Sequence, residues 1–349
     1  MVPPGPPILF STKPVHIMAP TIKEIAERAQ VSIATVSRVY SNDPKVAKKT
    51  RERILLIAEE MNYSPNILAR NFARKQSNLI GLILPEISDE FFTEIIKGVD
   101  EVAYSKGYFT IVTSSHKYIA LEDELLTFTQ NGLLGGMILL LPDVQPRLRA
   151  ILEKSRIPLV IINSGSRAKD FNVVAIDNYH GSFELTNHVL TKKKRKLVAY
   201  ISGPEGNADS DLRKEGFLSS CNENGIAKNQ RILIAGDFTK AGGKSACKRL
   251  LSAKNTPDVI IAANDMMALG CYEHILDTGL RIPEDIAVVG FDDIYLAQYV
   301  QPPLTTVKIE INDVGRKAAE MLLHSIENDG DFTLKRADIP TRLVIRSSC

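Results

Sequence analysis

Apolar residues recur at Ile22, Ile25, Ala26 and Ala29, the three-one-three spacing of one face of a short helix. The pattern breaks at Gln30-Val31, and Ser32 stands where an N-cap belongs. A second short helix follows, with Val36, Val39 and Tyr40 on one side and Ala34, Ser37, Arg38 and Ser41 opposite. Val46 to Met61 predicts a third helix, with Ile54, Leu55, Ile57, Ala58 and Met61 as its core stripe. Beyond the turn Tyr63-Ser64-Pro65-Asn66, the segment ILARNFARK sets Leu68 and Phe72 four apart, flanked by Arg70, Arg74 and Lys75. About nine residues make a marginal helix in water, so this stretch predicts a hinge that folds only against a partner.

From Leu79 the texture changes. LIGLIL (79–84), FTIVTS (109–114), GGMILLL (135–141) and PLVIIN (158–163) are unbroken apolar runs that predict fully buried strands. Helices near Glu90–Ser105, Leu121–Asn131 and Pro146–Lys154 separate them. The pattern repeats with LVAYIS (197–202), RILIAG (231–236), DVIIAA (258–263) and IAVVGF (286–291). Such alternation predicts parallel sheets with right-handed crossovers, hence two α/β lobes with a cleft between them. Ligands bind beyond the carboxyl ends of such strands. That rule singles out Ser88 to Phe92, Asn163, Asn207 to Arg213, Phe238, Asn264-Asp265 and Asp292-Asp293.

Composition narrows the class. A chain of 349 residues, 44% hydrophobic and 24% charged, suits two or three soluble globular domains. Net charge is +2, but residues 21–77 hold eleven Lys/Arg against six Asp/Glu, leaving −3 on the rest. A basic head on a mildly acidic body fits a polyanion at one end. Cys221, Cys247, Cys271 and Cys349 show no C-x-x-C spacing, as expected of free thiols in a reducing compartment. No apolar run approaches the ~18 residues of a membrane span, so no membrane association is expected. The proline-rich residues 1–20 lack a signal-peptide core and are expected to be disordered, with Met18 an alternative start.

The opening helix pair is either an ordinary helical hairpin or a helix-turn-helix whose second helix enters the DNA major groove. On the second reading Ile33 lies at the end that meets base edges. Small Ala34 and Ser37 let the backbone approach, and Arg38 can chelate guanine O6 and N7. Lys48, Lys49, Arg51 and Arg53 crowd the start of the third helix against its dipole, which points to phosphate contacts. Other candidates fail on inspection. TKKKRK (191–196) reads as a solvated loop, and AGGKS (241–245) lacks the first glycine of a P-loop because residue 238 is Phe. No H-x-x-x-H pair or G-x-S-x-G elbow is present. No metal, cofactor or catalytic residue is expected.

Taken together, these stretches resemble the lactose-repressor/galactose-repressor family of bacterial transcription regulators. The likeness rests on T-I-K-E-I-A-x-x-A-x-V-S-x-A-T-V-S-R-V, then T-R-E-R-I, N-Y-S-P-N, P-D-V-I-I-A-A-N-D-M-M-A-L-G, R-I-P-E-D-I-A-V-V-G-F-D-D and P-L-T-T-V, in that order. It implies a helix-turn-helix headpiece (21–65), a hinge helix and linker (66–78), and a two-lobed, doubly wound parallel-sheet core (79–349) like the periplasmic sugar-binding proteins. The implied lobes are about 79–176 with 307–332, and 177–306 with 333–349. The resemblance also implies a cytoplasmic, nucleoid-associated homodimer that represses from a pseudo-palindromic operator under control of a small effector in the cleft. Carried over by position, Ile33, Ala34 and Arg38 read bases, and Ser37 shares their helix face as a further DNA-contact candidate. Phe72, more often Leu in relatives, wedges into the minor groove with Arg70 near phosphate. Phe91, Phe92, Arg213, Phe238, Asn264, Asp265 and Asp292 contact the effector, with Asn163 added by the strand-end rule, and Gln30 replaces a common Gly. Asp211 stands where many relatives carry Arg. An Arg, two Asp, an Asn and phenylalanine walls suit a mono- or disaccharide, with a nucleobase or nucleoside as runner-up. A transporter's solute-binding protein shares the core but needs a signal peptide and no headpiece. An enzyme on this fold would need a nucleophile–base pair or cofactor loop.

Overall fold

The computed structural model describes residues 20–40, 43–63, 77–114, 133–155, 157–162, 165, 168, 170–191, 197–253, 255–328 and 334–349. The expected hinge helix with Arg70 and Phe72, the helix expected over 121–131, Asn163 and most of the TKKKRK run lie outside these residues. The chain divides into two compact units, Met1–Arg74 and Lys75–Cys349.

The first unit is three helices: α1 (Ile22–Arg28), α2 (Ile33–Tyr40) and α3 (Lys48–Glu60). Thr21 and Glu24 form a capping box that starts α1, satisfying donors the helix cannot satisfy itself. Gln30 ends it at φ 52, with Val31 N–H reaching Ala26 O at 3.0 Å and Gln30 N–H reaching Glu27 O at 3.1 Å. Those two bonds are a Schellman cap, and they place a left-handed Gln where glycine is the easier residue. Ile25, Ala26, Ala29, Val36, Val39, Ile54 and Ala58 fill the small core. Leu55, expected in that core, is 44% exposed because only Ile54 and Ala58 of α3 face α1 and α2 squarely.

The second unit holds two parallel sheets. In the larger, the strand order is Arg336–Ile339, Asn172–Ile176, Leu159–Ile162, Gly136–Leu140, Leu79–Leu84, Phe109–Ser114. The smaller runs Arg231–Ala235, Val198–Ser202, Val259–Ala262, Ala287–Val289. Strands Thr306–Ile309 and Thr341–Val344 pair antiparallel. Two expectations need correction. Strand Phe109–Ser114 is not fully buried: it is the edge of its sheet, with Phe109 51% and Ile111 36% exposed. Strand Arg231–Ala235 is the edge of the other, with Leu233 49% exposed. Unbroken apolar sequence does not separate a central strand from an edge one. The lobe boundary shifts as well. Arg336–Ile339 pairs in parallel with Val173–Ile176, so it belongs to the first lobe, although residues 333–349 were expected in the second. The tail beyond does return to the second lobe, where Val288 N–H donates to Ser348 O at 3.1 Å.

Helices Glu90–Ser105 (α4) and Ile311–Glu327 pack against each other through reciprocal glycines. A Cβ on Gly98 would lie 2.1 Å from Asn312 O, and one on Gly315 2.2 Å from Ile95 O. That close approach fixes where the start of α4, residues 89–92, meets the cleft.

Candidate functional sites

On α2 the apolar side is spent on the core, with Val36 and Val39 at 0–1% exposure. Ile33, Ala34, Ser37 and Arg38 therefore share the solvent side. Ser32 caps the helix, its Oγ accepting the Thr35 N–H at 3.2 Å. Arg38 is loosely held, its Nε 4.0 Å from Asp43 Oδ2, and its side chain is 60% exposed. Small side chains beside a free-swinging guanidinium make a face that can press against base edges. Lys48, Lys49 and Arg53 are exposed nearby on α3. Arg51 was expected among the phosphate contacts, and the structure turns it inward. Its guanidinium donates to Val39 O at 2.9 Å and Asp43 O at 2.7 Å, filling orphan carbonyls at and just beyond the end of α2.

In the core, Arg213 is the residue around which several of the expected effector residues gather. It is 4% exposed, on helix Ala208–Glu223. Nε donates to Asn178 Oδ1 at 2.7 Å and Nη1 to Ala263 O at 2.6 Å. Nη1 also lies 3.1 Å from Asp292 Oδ1. The guanidinium sits 3.9 Å over the Phe291 ring and 5.7 Å from that of Phe238. Asp292 is itself buried, so Arg213 is the charge that faces its carboxylate. Burial pushes the Asp292 carboxyl up to about 7, Arg213 opposes the rise, and Asp89 and Asp209 add to it. Phe238 holds φ 67 and lays its ring on Gly203, where a Cβ would come within 2.3 Å.

Other expected effector residues fare differently. Asn264 caps helix Asp265–Asp277, accepting from Met267 N–H, and its amide donates to Phe238 O at 2.9 Å. Phe91 is half-buried, but Phe92 is 9% exposed and packs in the first lobe's core rather than forming a cleft wall. Asp265 does not face the cleft at all. It is fully buried, with Oδ2 accepting the Ile294 N–H at 3.0 Å and Oδ1 the Thr306 hydroxyl at 2.6 Å. Burial and the Asp292 charge hold its pKa well above the usual range. Its work is to fasten the turn that presents Asp292. Asp211 lines a separate cavity of about 290 Å³ with Glu205, Ser210, Lys214 and Leu233.

Asn178 was missed by sequence reasoning. It is fully buried, accepts from Arg213 and donates to Asp209 Oδ1 at 2.8 Å. It lies two residues past strand Asn172–Ile176, a strand that the long apolar runs do not single out, so the strand-end rule does not reach it. Among the described residues no group of His, Cys, Asp and Glu is arranged to hold a metal ion, and no helix is long and apolar enough to cross a membrane.

Residues 21–66 match the bacterial regulatory proteins of the lacI family, and residues 186–349 match a periplasmic binding protein-like domain. The chain is 33% identical over 331 residues to the HTH-type transcriptional repressor CytR of Escherichia coli (strain K12), covering 95% of this chain and 96% of that one. It is similar to the lac repressor dimer bound to operator and the anti-inducer ONPF, at 26% identity and TM-score 0.83, over 94% of this chain and 98% of that one. It is also similar to the transcriptional regulator CelR–cellobiose complex, at 27% identity and TM-score 0.73, over 95% and 100% respectively.

Proposed function

The chain belongs to the lacI family of bacterial regulatory proteins, and from that premise we propose that a mono- or disaccharide in its core cleft controls its grip on a pseudo-palindromic operator. It is a DNA-binding transcriptional regulator with a small-molecule effector, and not an enzyme. A transporter's solute-binding protein, the alternative on the same core, is set aside by the lacI-family match of residues 21–66. Such a regulator works in the cytoplasm, on the nucleoid.

The observation that carries the sugar reading is the Arg213–Asp292 pair at 3.1 Å with Phe238 beside it. A guanidinium and a carboxylate side by side suit vicinal hydroxyls, and an aromatic face covers a sugar's apolar side. Phe91, Asn264 and Arg213 complete the set, with Asn163 as a further contact. The CelR relative holds cellobiose in its structure, which supports a saccharide. Ile33, Ala34, Ser37 and Arg38 read the major groove, while Phe72 and Arg70 of the hinge engage the minor groove and its phosphates. The exposed apolar edge at Phe109 and Ile111 suits a second copy of the chain, consistent with the dimeric lac repressor.

The test is thermal unfolding against a panel of sugars and nucleosides. A saccharide at a hundredfold excess over its Kd should add about 2.7 kcal/mol of stability, and Asp292→Asn should abolish the shift. Stabilisation by nucleosides alone would overturn the sugar assignment.

A further inference from the structure

The turn that carries Asp292 also reaches the opposite lobe. Asp292 and Asp293 both hold positive φ, 112 and 58, a conformation that residues with a Cβ adopt only when their surroundings force it. The fastenings are visible. Asp265 takes the Ile294 N–H, Asp293 pairs with Arg346 at 2.7 Å, and Asp292 N–H donates to Val307 O at 2.8 Å. The next N–H along the chain, that of Tyr295, does not point into its own lobe. It donates to both carboxylate oxygens of Glu90, at 2.7 Å each. Glu90 is the first residue of α4 in the first lobe, directly after the capping Asp89. One short turn therefore offers a carboxylate to the cleft and an N–H to the other side of it.

Other bonds also run between the lobes, from Ala208 N–H to Pro142 O at 2.9 Å and from Asp292 N–H to Val307 O at 2.8 Å, but all of their partners are backbone. Glu90 differs in kind, because a partly exposed side chain with rotatable bonds can let go of Tyr295 without disturbing either lobe. The clamped turn cannot yield in the same way, since Asp265 and Arg346 hold it from inside.

We infer that Glu90 is a positioning residue that ties the ligand-bearing turn to the first lobe and holds the cleft shut through the Tyr295 N–H. The inference rests on the cleft as the effector site only for its regulatory meaning. The bond itself closes the lobes with or without a ligand. The first lobe begins at strand Leu79–Leu84, the first described strand after the segment that leads from the headpiece, so a tie to this lobe is a tie to the part nearest in sequence to the DNA-binding unit.

Amide hydrogen exchange on the ligand-free, full-length protein tests it. The Tyr295 amide should be protected in the wild type and exchange at least about tenfold faster in Glu90→Ala. Glu90→Gln, which keeps a neutral acceptor, should fall between. The Ile294 amide, held by Asp265, should be unchanged in both variants and reports that the turn is intact. A second readout is the distance between dyes at Lys154→Cys and Leu276→Cys, one in each lobe. These sites can be labelled selectively because the four native cysteines are buried. Glu90→Ala should lengthen and broaden that distance. Equal Tyr295 exchange in wild type and Glu90→Ala, or an unchanged dye distance, would overturn the inference. Because no ligand is used, that failure would leave the effector reading standing, and failure of every sugar to bind would leave the exchange result standing.

Discussion

Arg38 and Arg213 occupy opposite settings, and the contrast suits the two kinds of ligand proposed for them. Arg38 keeps a 60% exposed side chain and one loose neighbour at 4.0 Å. Arg213 is 4% exposed and meets an amide, a backbone carbonyl, a carboxylate and an aromatic face. A reader of DNA can leave its charge in water until the duplex supplies partners, because the phosphates and base edges arrive together. A buried charge must have its partners in place beforehand, since an unpaired one would not fold. On the proposed assignment the headpiece carries its specificity on the outside of a core of seven buried residues, whereas the core domain builds its own into its interior.

The sharpest way to break that comparison is to truncate both arginines and measure stability. Arg213→Ala strands Asp292 and Asn178 in the interior and should cost the core's unfolding transition about 3–5 kcal/mol in urea. Arg38→Ala should change headpiece stability by no more than about 0.5 kcal/mol. Similar losses for the two would mean that Arg38 is structural or that Arg213 is dispensable.

On DNA the order reverses. Arg38→Ala should cost about 1–3 kcal/mol at one G·C pair of the operator and relax selectivity there. Lys48→Ala, an exposed cation with no base to reach, should weaken all sequences alike and lower the salt slope by about 1. Arg51→Ala should behave like neither. With its guanidinium bound to Val39 O and Asp43 O, it should lower the headpiece melting temperature and leave the salt slope nearly unchanged. Anisotropy titrations across salt, with base-pair variants of the site, separate the three.

A smaller effect follows from Asp292. Unfolded, it ionises near 3.9, and in the fold it ionises at about 7. Between those values the folded state holds a proton that the unfolded state has lost, so stability falls as pH rises from about 4 toward 7 and then levels. Asp292→Asn should flatten that slope, by on the order of 1 kcal/mol between pH 5.5 and 7. An identical pH profile in the variant would place the proton elsewhere.

The same contrast decided what could be read from the chain. The exposed set Ile33, Ala34, Ser37 and Arg38 follows from helical periodicity, because Val36 and Val39 fix which side is inward. In the core, the strand-end rule reaches Arg213, Phe238 and Asp292, which the structure brings together, and it also names Asp265, whose carboxylate turns back onto Ile294 and Thr306. The reason is geometric: adjacent residues after a strand can point into the cleft or into the lobe, and only tertiary packing decides. Asn178 and the Ala263 carbonyl escaped because a hydrogen bond between helix starts and loop carbonyls leaves no periodic trace. Edge strands escaped for a related reason, as Phe109 and Leu233 look like any core residue until the sheet order is known. Strand Arg336–Ile339 returned to the first sheet because its partner Val173–Ile176 lies about 160 residues earlier, a separation that local pattern cannot span.

The central claim is that a molecule in the cleft changes affinity for DNA. The direct measurement is operator affinity, on a genomic fragment footprinted by this protein, with and without the saccharide that most raises its melting temperature. At saturation that sugar should shift the operator Kd at least about fivefold, the lower end of ordinary allosteric coupling, and Asp292→Asn should show no shift while binding the fragment normally. A sugar that stabilises the core yet leaves operator affinity unchanged would contradict the account.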